Sequence, residues 1–328
     1  MPAIAKPRNV SCNFKKMRRE KHIVSSTQID AHNTVFLKSA LEGSLKYLNG
    51  KRKPRLGVEH IRTFPPLGIL TNGEIKEGND GHHYLIAENY YFDKREKIEL
   101  EDGTTLISEY FSEFEFPFVE CDDEEVEKIS VSIDYSNFED YKEVKTFFSE
   151  LEKEEVEFET AQHGRKSLIP DPEIIINVPV AVGIALGMGA KKMTEKIGEE
   201  VGDDLVKFYK LIKKIANESI KRTIPKYRPN NFVIIYPTKI CIIELVITTR
   251  NADDVLNSLE KSNLLHINQK LINLRNLNPE KIQFIFENNK WKFNYLLTNT
   301  GKVIGDEKSF KKRDETYLNL LKKQRGSS

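Results

Sequence analysis

The segment that most limits how this chain can fold is IIINVPVAVGIALGMGA, residues 174–190, which carries no charged side chain. Small residues alternate with larger apolar ones along it, and its glycines are Gly183, Gly187 and Gly189. On a helix, this spacing of Gly183 and Gly187 permits another backbone to approach closely, whereas a strand would have one flat and one bulky face. We expect a buried segment that is a strand before Pro179 and a helix after it.

A membrane-inserting role is the alternative for residues 174–190. The run is 17 residues long, which is the lower limit for a spanning helix, since ~20 apolar residues are usual. A phosphate-binding loop is not expected, because Lys192 stands where the third glycine of G-x-G-x-x-G would fall and the P-loop pattern is missing. The sequence therefore predicts no nucleotide cofactor.

The same segment carries a resemblance to a known class of proteins. Residues 178–215 read VPVAVGIALGMGAKKMTEKIGEEVGDDLVKFYKLIKKI, a Gly/Ala-rich stretch followed by an amphipathic helix. Over these roughly 40 residues the chain resembles uncharacterised bacterial conflict-system effector proteins. The resemblance implies a role in prokaryotic, antiviral defence, close to membranes, and it assigns no catalytic residue.

Charge is distributed unevenly along the 328 residues. Residues 1–60 have a net charge of +9, residues 61–170 a net charge of −17, and residues 171–328 a net charge of +9. Such blocks favour attraction within the chain or between copies of it. A proline-marked, charged stretch near 160–172 is the predicted boundary between modules.

The patterns predict an α+β fold of two modules. Residues 1–24 are predicted to be a basic flexible arm, residues 25–165 an acidic, mostly β module, and residues 171–326 a basic α+β module with antiparallel strands and a long helix. Three widely spaced cysteines form no disulfide framework or zinc ribbon, and the first residues contain no apolar signal peptide, so we expect a cytoplasmic protein.

Catalytic candidates are few. Asp80, His82 and Glu88 are close in sequence and could converge as acid and base groups, which makes a metal-dependent hydrolase or nuclease one hypothesis. The simpler interpretation is a polar turn that leads into a strand. Histidine and cysteine pairs at metal-binding spacing are missing from the sequence, so no metal site is predicted.

A basic loop, KRKPR, is the main candidate for binding a polyanion. Its cationic residues are Lys51, Arg52, Lys53 and Arg55. Phosphate contacts need such clusters, but the acidic middle of the chain would repel nucleic acid. Surface solubility or docking onto the acidic region is the alternative interpretation.

These observations favour a non-enzymatic interaction or assembly protein, bacterial in origin, that binds a protein partner or a second copy of itself. A membrane-acting effector that uses residues 174–190 is the second hypothesis, and the hydrolase is the third.

Overall fold

A computed structural model describes residues 20–29, 35–119, 127–154, 156–163, 172–186, 199–238 and 240–326 of the protein. These residues form helices together with antiparallel and mixed sheets, so the predicted α+β fold class is confirmed.

The elements follow one another in a mixed order along the chain. The strands are β1 (Glu20–Ser26), β2 (Arg55–Leu56), β3 (Gly68–Glu77), β4 (His83–Tyr91), β5 (Lys94–Glu99), β6 (Thr105–Tyr110), β7 (Ile129–Asp134), β8 (Phe158–His163), β9 (Glu173–Asn177), β10 (Asn230–Pro237), β11 (Ile242–Thr249), β12 (Pro279–Glu287), β13 (Lys290–Thr298) and β14 (Val303–Gly305). The α-helices are α1 (Lys38–Asn49), α2 (Tyr141–Leu151), α3 (Val180–Ala185), α4 (Glu199–Arg222), α5 (Ala252–Ser258), α6 (Lys261–Leu274) and α7 (Glu307–Gly326).

The chain divides into two compact units whose bounds differ from those of the predicted modules. Unit 1 comprises Met1–Asp122, Leu277–Glu280 and Asn294–Ser328, and unit 2 comprises Asp123–Asn276 and Lys281–Phe293. Residues 294–328 belong with the N-terminal part because β14 pairs with β6, for example Ile304 with Ser108. The first boundary between the units lies between Asp122 and Asp123, whereas the sequence predicts one near 160–172.

Unit 1 contains a four-stranded antiparallel sheet in the order β1-β4-β3-β2, with α1 packed on one face. Alternate residues of β4, Leu85 and Ala87, are buried against Leu41 and Leu48 of α1.

The predicted basic arm needs a correction at its end. Residues 20–24 are in β1, where Lys21 is opposite Glu88 in the ladder and its Nζ is 2.8 Å from Glu74 Oε1. These pairings with β4 and β3 fix the strand, although the segment has few apolar residues. Residues 1–19 of the predicted arm lie outside the described residues.

A second part of unit 1 is built on β5, β6 and β14, with residues 295–297 of β13 paired to β14. Helix α7 is held to β6 by a buried ion pair. The guanidinium of Arg313 donates to both carboxylate oxygens of Glu109, at 2.8 and 3.0 Å, and to the carbonyl oxygen of Pro66 at 2.7 Å. Only 1% of the Arg313 side chain and 6% of the Glu109 side chain are exposed.

Neighbouring groups complete this ion pair. Asp314 accepts from Arg313 and also from Arg95, whose Nη1 is 2.7 Å from Asp314 Oδ2. The ring of Phe310 lies under both guanidinium groups, with its centroid 4.9 Å from the Arg313 carbon and 5.3 Å from that of Arg95. Arginine suits this place because its planar fork binds a carboxylate at two points and stacks on an aromatic ring.

Unit 2 contains a mixed sheet in the order β8-β7-β9-β10-β11-β12. Most residues of its central strands β9, β10 and β11 are buried. Helix α4 contributes Phe208, Leu211, Ile212 and Ile215, all at most 1% exposed, and it is linked to α2 by the ion pairs Arg222–Glu143 and Lys214–Glu150. Strands β10 and β11 pair antiparallel, in agreement with the antiparallel strands that the sequence predicts for this part of the chain.

The Arg313–Glu109 pair generates a stability prediction. Arg313→Ala removes the two closest donors of the buried Glu109 carboxylate and leaves only Arg95 Nε, at 3.5 Å, so we expect the free energy of unfolding to fall by about 3 kcal/mol. Urea unfolding followed by far-UV circular dichroism measures this. Lys311→Ala is the control on the same helix. The Lys311 side chain is 75% exposed, and its ion pair with Glu315, at 3.9 Å, lies at the surface. Equal losses in the two variants would contradict the assigned role of Arg313.

Candidate interaction surface

The predicted group of Asp80, His82 and Glu88 is not brought together. Asp80 lies in the turn before β4, and its carboxylate accepts hydrogen bonds from Tyr84 Oη at 2.5 Å, the His82 backbone N–H at 3.1 Å and Gln28 Nε2 at 2.9 Å. Glu88 is on β4, where the five steps from His83 span roughly 17 Å at ~3.4 Å per residue. Glu88 accepts instead from Asn72 Nδ2, at 2.9 Å.

The electrostatics of Asp80 fit an acceptor in a turn. The hydrogen bond from Tyr84, followed by that from the His82 backbone, lowers the pKa of Asp80 below its usual value. A general acid would need the opposite shift. Within the described parts of the chain, no three His, Cys, Asp or Glu side chains are placed to hold a metal ion. Asp80 and His82 therefore fit the interpretation as a polar turn.

The basic loop is mostly engaged inside unit 1. Arg52 donates to the carbonyl oxygen of Phe118 at 3.0 Å and pairs with Glu280. Lys53 Nζ donates to the carbonyl oxygen of Leu48 at 3.1 Å, and burial lowers the pKa of Lys53. Arg55 Nη1 donates to Tyr295 Oη at 3.0 Å. Of the four predicted polyanion contacts, Lys51 alone is an exposed side chain with no bond described.

For the residues that the structure describes, the uncharged segment has the predicted conformation, but the prediction that it is buried holds for the strand and for only one side of the helix. Its first part is the buried strand β9, which pairs in parallel with β10, and Pro179 precedes helix α3. Proline suits this boundary, because its fixed φ and missing N–H are tolerated at the start of a helix. Gly187 and Gly189 lie outside the described residues.

Gly183 allows α3 to lie close to the sheet. A Cβ atom at this position would be 3.2 Å from Cδ1 of Tyr236 on β10, closer than an ordinary van der Waals contact. The Tyr236 side chain is 1% exposed, and burial raises the pKa of its phenol. The inner side of α3 is therefore fixed against a rigid aromatic ring.

The outer side of α3 is apolar and exposed. Val180 and Ile184, one helical turn apart, are 37% and 36% exposed. The turn that follows β10 carries Ile240, which is 67% exposed, at the same end of the sheet, because β9 and β10 run in parallel towards it. We call Val180, Ile184 and Ile240 the α3 surface. It is the candidate interaction site of unit 2.

A buried polar cluster in unit 2 was missed by sequence reasoning. Lys281 Nζ on β12 is 3.0 Å from Glu244 Oε2 on β11, and Gln283 donates to the other oxygen of Glu244. The two charged side chains are 3% and 1% exposed. The available signal was a single glutamate within the apolar run of β11. Because the cluster is closed to water, its described contacts fit a structural role.

Comparisons with known proteins give no relative. The chain matches no protein-family model, and no curated protein and no solved structure is significantly similar to it.

Because Gly183 lies close to Tyr236, we expect a larger side chain to destabilise the protein on the inner side of α3 but not on its exposed side. Gly183→Leu overpacks the contact with Tyr236 and should lower the free energy of unfolding of unit 2 by about 1–3 kcal/mol. Ala181→Leu places the same side chain on the exposed side and is the matched control. Urea titration with the fluorescence of the single tryptophan, Trp291 in unit 2, measures both. Equal stability of the two variants would contradict the close packing.

For the buried pair of Lys281 and Glu244, we expect that removing one partner lowers the free energy of unfolding more than replacing both. Lys281→Met leaves Glu244 charged and buried, so we expect a loss of about 3–5 kcal/mol. The double variant Lys281→Met/Glu244→Leu should recover most of that loss, since apolar replacement of a whole buried pair is often close to neutral. The same fluorescence titration applies. A double variant as unstable as the single one would show that Lys281 does not act mainly through Glu244.

Proposed function

We propose that this protein is a non-enzymatic assembly protein whose unit 2 binds a second copy of the chain through the α3 surface. The observation that carries the proposal is the difference between the two sides of α3. One side is fixed at Gly183 against Tyr236, and the other presents Val180 and Ile184 to solvent. A rigid, exposed apolar strip loses little conformational entropy when a partner covers it.

The free energy expected from burying the α3 surface is consistent with a role at the centre of an interface. Complete burial of an aliphatic side chain is worth about 1.5–3 kcal/mol, and a few such residues usually dominate an interface. Standard interfaces bury about 800 Å² per partner, which is more than Val180, Ile184 and Ile240 can supply. In this proposal they form the apolar centre, and polar neighbours form the rim.

Membrane binding is the second candidate for the same strip, because an apolar helix face can also enter a lipid interface. No helix among the described residues is long and apolar enough to cross a membrane. A strip of three side chains is small for lipid binding, since a single acyl chain already gives only marginal anchoring. We therefore place self-association first and test both.

The cellular setting belongs to the same proposal. The resemblance of residues 178–215 implies a role in prokaryotic defence, and the sequence leads us to expect a cytoplasmic protein; in that setting we propose that it acts by assembly rather than by turnover. Nucleic acid is a less favoured partner, because Arg52, Lys53 and Arg55 already bond within unit 1. A hydrolase is also less favoured, because Glu88 is far along β4 from Asp80.

Charge introduced on the α3 surface tests the proposal. Val180→Asp/Ile184→Asp should weaken self-association at least about tenfold, since two buried carboxylates would lose their hydration. Analytical ultracentrifugation over a concentration series measures the dissociation constant. The control is Leu265→Asp/Ile272→Asp on α6, where the parent side chains are 52% and 55% exposed.

The outcomes separate the two candidates. Loss of association in the α3 variant alone, with an unchanged thermal melt, supports assembly through α3. A monomeric wild-type protein, or equal behaviour of both variants, would overturn it. If the wild-type protein instead floats with anionic liposomes and the α3 variant does not, the membrane alternative replaces it.

A further inference from the structure

Unit 1 contains a cleft that the assembly proposal does not use. Its volume is about 270 Å³, and it is lined by Tyr110, Phe111, Ser112, Glu113, Phe114, Glu115, Thr300 and Lys302. Pockets for drug-sized ligands measure ~300–1,000 Å³, so this cleft suits a single side chain better than a cofactor. One wall is the segment after β6, and the other is the turn between β13 and β14.

Both walls are held in place. Ser112 donates its N–H and its hydroxyl to the two carboxylate oxygens of Asp93, at 2.8 and 2.5 Å. Gly301, with φ at +81°, adopts a left-handed conformation that favours glycine, and a Cβ there would be 2.2 Å from the carbonyl oxygen of Phe116. The turn and the segment therefore approach as closely as their backbones allow, which makes the cleft rigid.

The chemistry of the lining is aromatic and acidic. Phe114 is 42% exposed, and its ring stacks on Phe116 with centroids 5.8 Å apart. Glu113 and Glu115 flank Phe114 as exposed side chains, and within the described ranges neither has an ion-pair or hydrogen-bond partner. An exposed ring between two unpaired carboxylates is a favourable place for a planar cation, which can stack on the ring and bond a carboxylate at two points.

The single cation of the lining is already engaged. Lys302 Nζ lies over the ring of Tyr110, 4.8 Å from its centroid. The three charged side chains of the cleft together carry a net charge of −1, so a cation is favoured over an anion. Lys302 should oppose the cation, and its removal should therefore strengthen binding.

We propose that this cleft binds the guanidinium group of an arginine side chain presented by a polypeptide partner. The occupant stacks on Phe114 and bonds to Glu113 and Glu115. This inference uses residues of unit 1 only and does not rest on the α3 surface, so it can fail or succeed independently of self-association.

The test titrates the whole protein with acetyl-Gly-Arg-Gly-amide, followed by NMR. The matched neutral peptide contains citrulline, which keeps the shape of arginine and lacks its charge. We expect the citrulline peptide to bind at least about tenfold more weakly, because hydrogen bonds between charged partners are the strong ones. Free L-arginine is titrated as a second ligand.

Variants of the lining residues test whether the cleft favours a positively charged ligand. Glu113→Gln/Glu115→Gln and Phe114→Ala should each weaken the arginine peptide about tenfold, whereas Lys302→Met should tighten it. Glu101→Gln, an exposed glutamate in the turn between β5 and β6, is the control and should change nothing. Thermal melts verify that each variant is folded.

Several results would overturn the proposal. These are the absence of saturable binding in the millimolar range, equal affinity for the citrulline peptide, or an affinity unaffected by the double glutamine variant. Binding of acetyl-Gly-Asp-Gly-amide that is lost in Lys302→Met would assign the cleft to an anion instead. Tighter binding of free arginine than of the peptide would replace the polypeptide partner by the amino acid.

Discussion

Unit 1 depends on the ion pair between Arg313 and Glu109. Removal of two charges from water is costly, and their attraction compensates only when the geometry is good and the remaining hydrogen-bonding groups are satisfied. Here the carboxylate receives two parallel donors, Pro66 and Asp314 accept from the rest of the guanidinium, and Phe310 supports it from below. The pair fixes α7 to β6, and Phe310 is thereby held in the core that contains Tyr295 and Val303.

Local signals in the sequence predicted local structure well. Asp102-Gly103, a dipeptide typical of hairpin turns, joins β5 to β6 with Gly103 at a φ of +79°, and Asn251, a typical N-cap residue, caps α5 by accepting from the Asp253 N–H. The division into units was not predictable in the same way, because Arg313 and Glu109 are 204 positions apart. A pattern read along the chain contains no sign of such a partner, so the sequence placed residues 294–328 in the C-terminal module.

The candidate sites were also predictable only where they depend on residues close together in the sequence. Proline and glycine chemistry predicted that residues 174–186 change from strand to helix at Pro179, but only Tyr236, from a distant strand, determines that the Gly183 side of α3 faces inward. Proximity in sequence wrongly suggested that Asp80 and Glu88 could converge, since an extended strand separates residues that a turn or a helix would bring together. Glu244 in the middle of an apolar strand was a usable signal for the buried cluster with Lys281.

The split arrangement of unit 1 has a consequence for synthesis on the ribosome. At ~5–20 residues per second, roughly 10–40 s separate the appearance of Glu109 from that of Arg313. During that interval the carboxylate of Glu109 lacks Arg313 and has only Arg95, at 3.5 Å, as a cationic partner, and β6 lacks β14 on one edge. Unpaired strand edges promote wrong pairing between nascent chains. Unit 2, by contrast, is fully translated by residue 293. The part of the protein that is translated first is thus the last to be completed, and it is the part most in need of protection by chaperones.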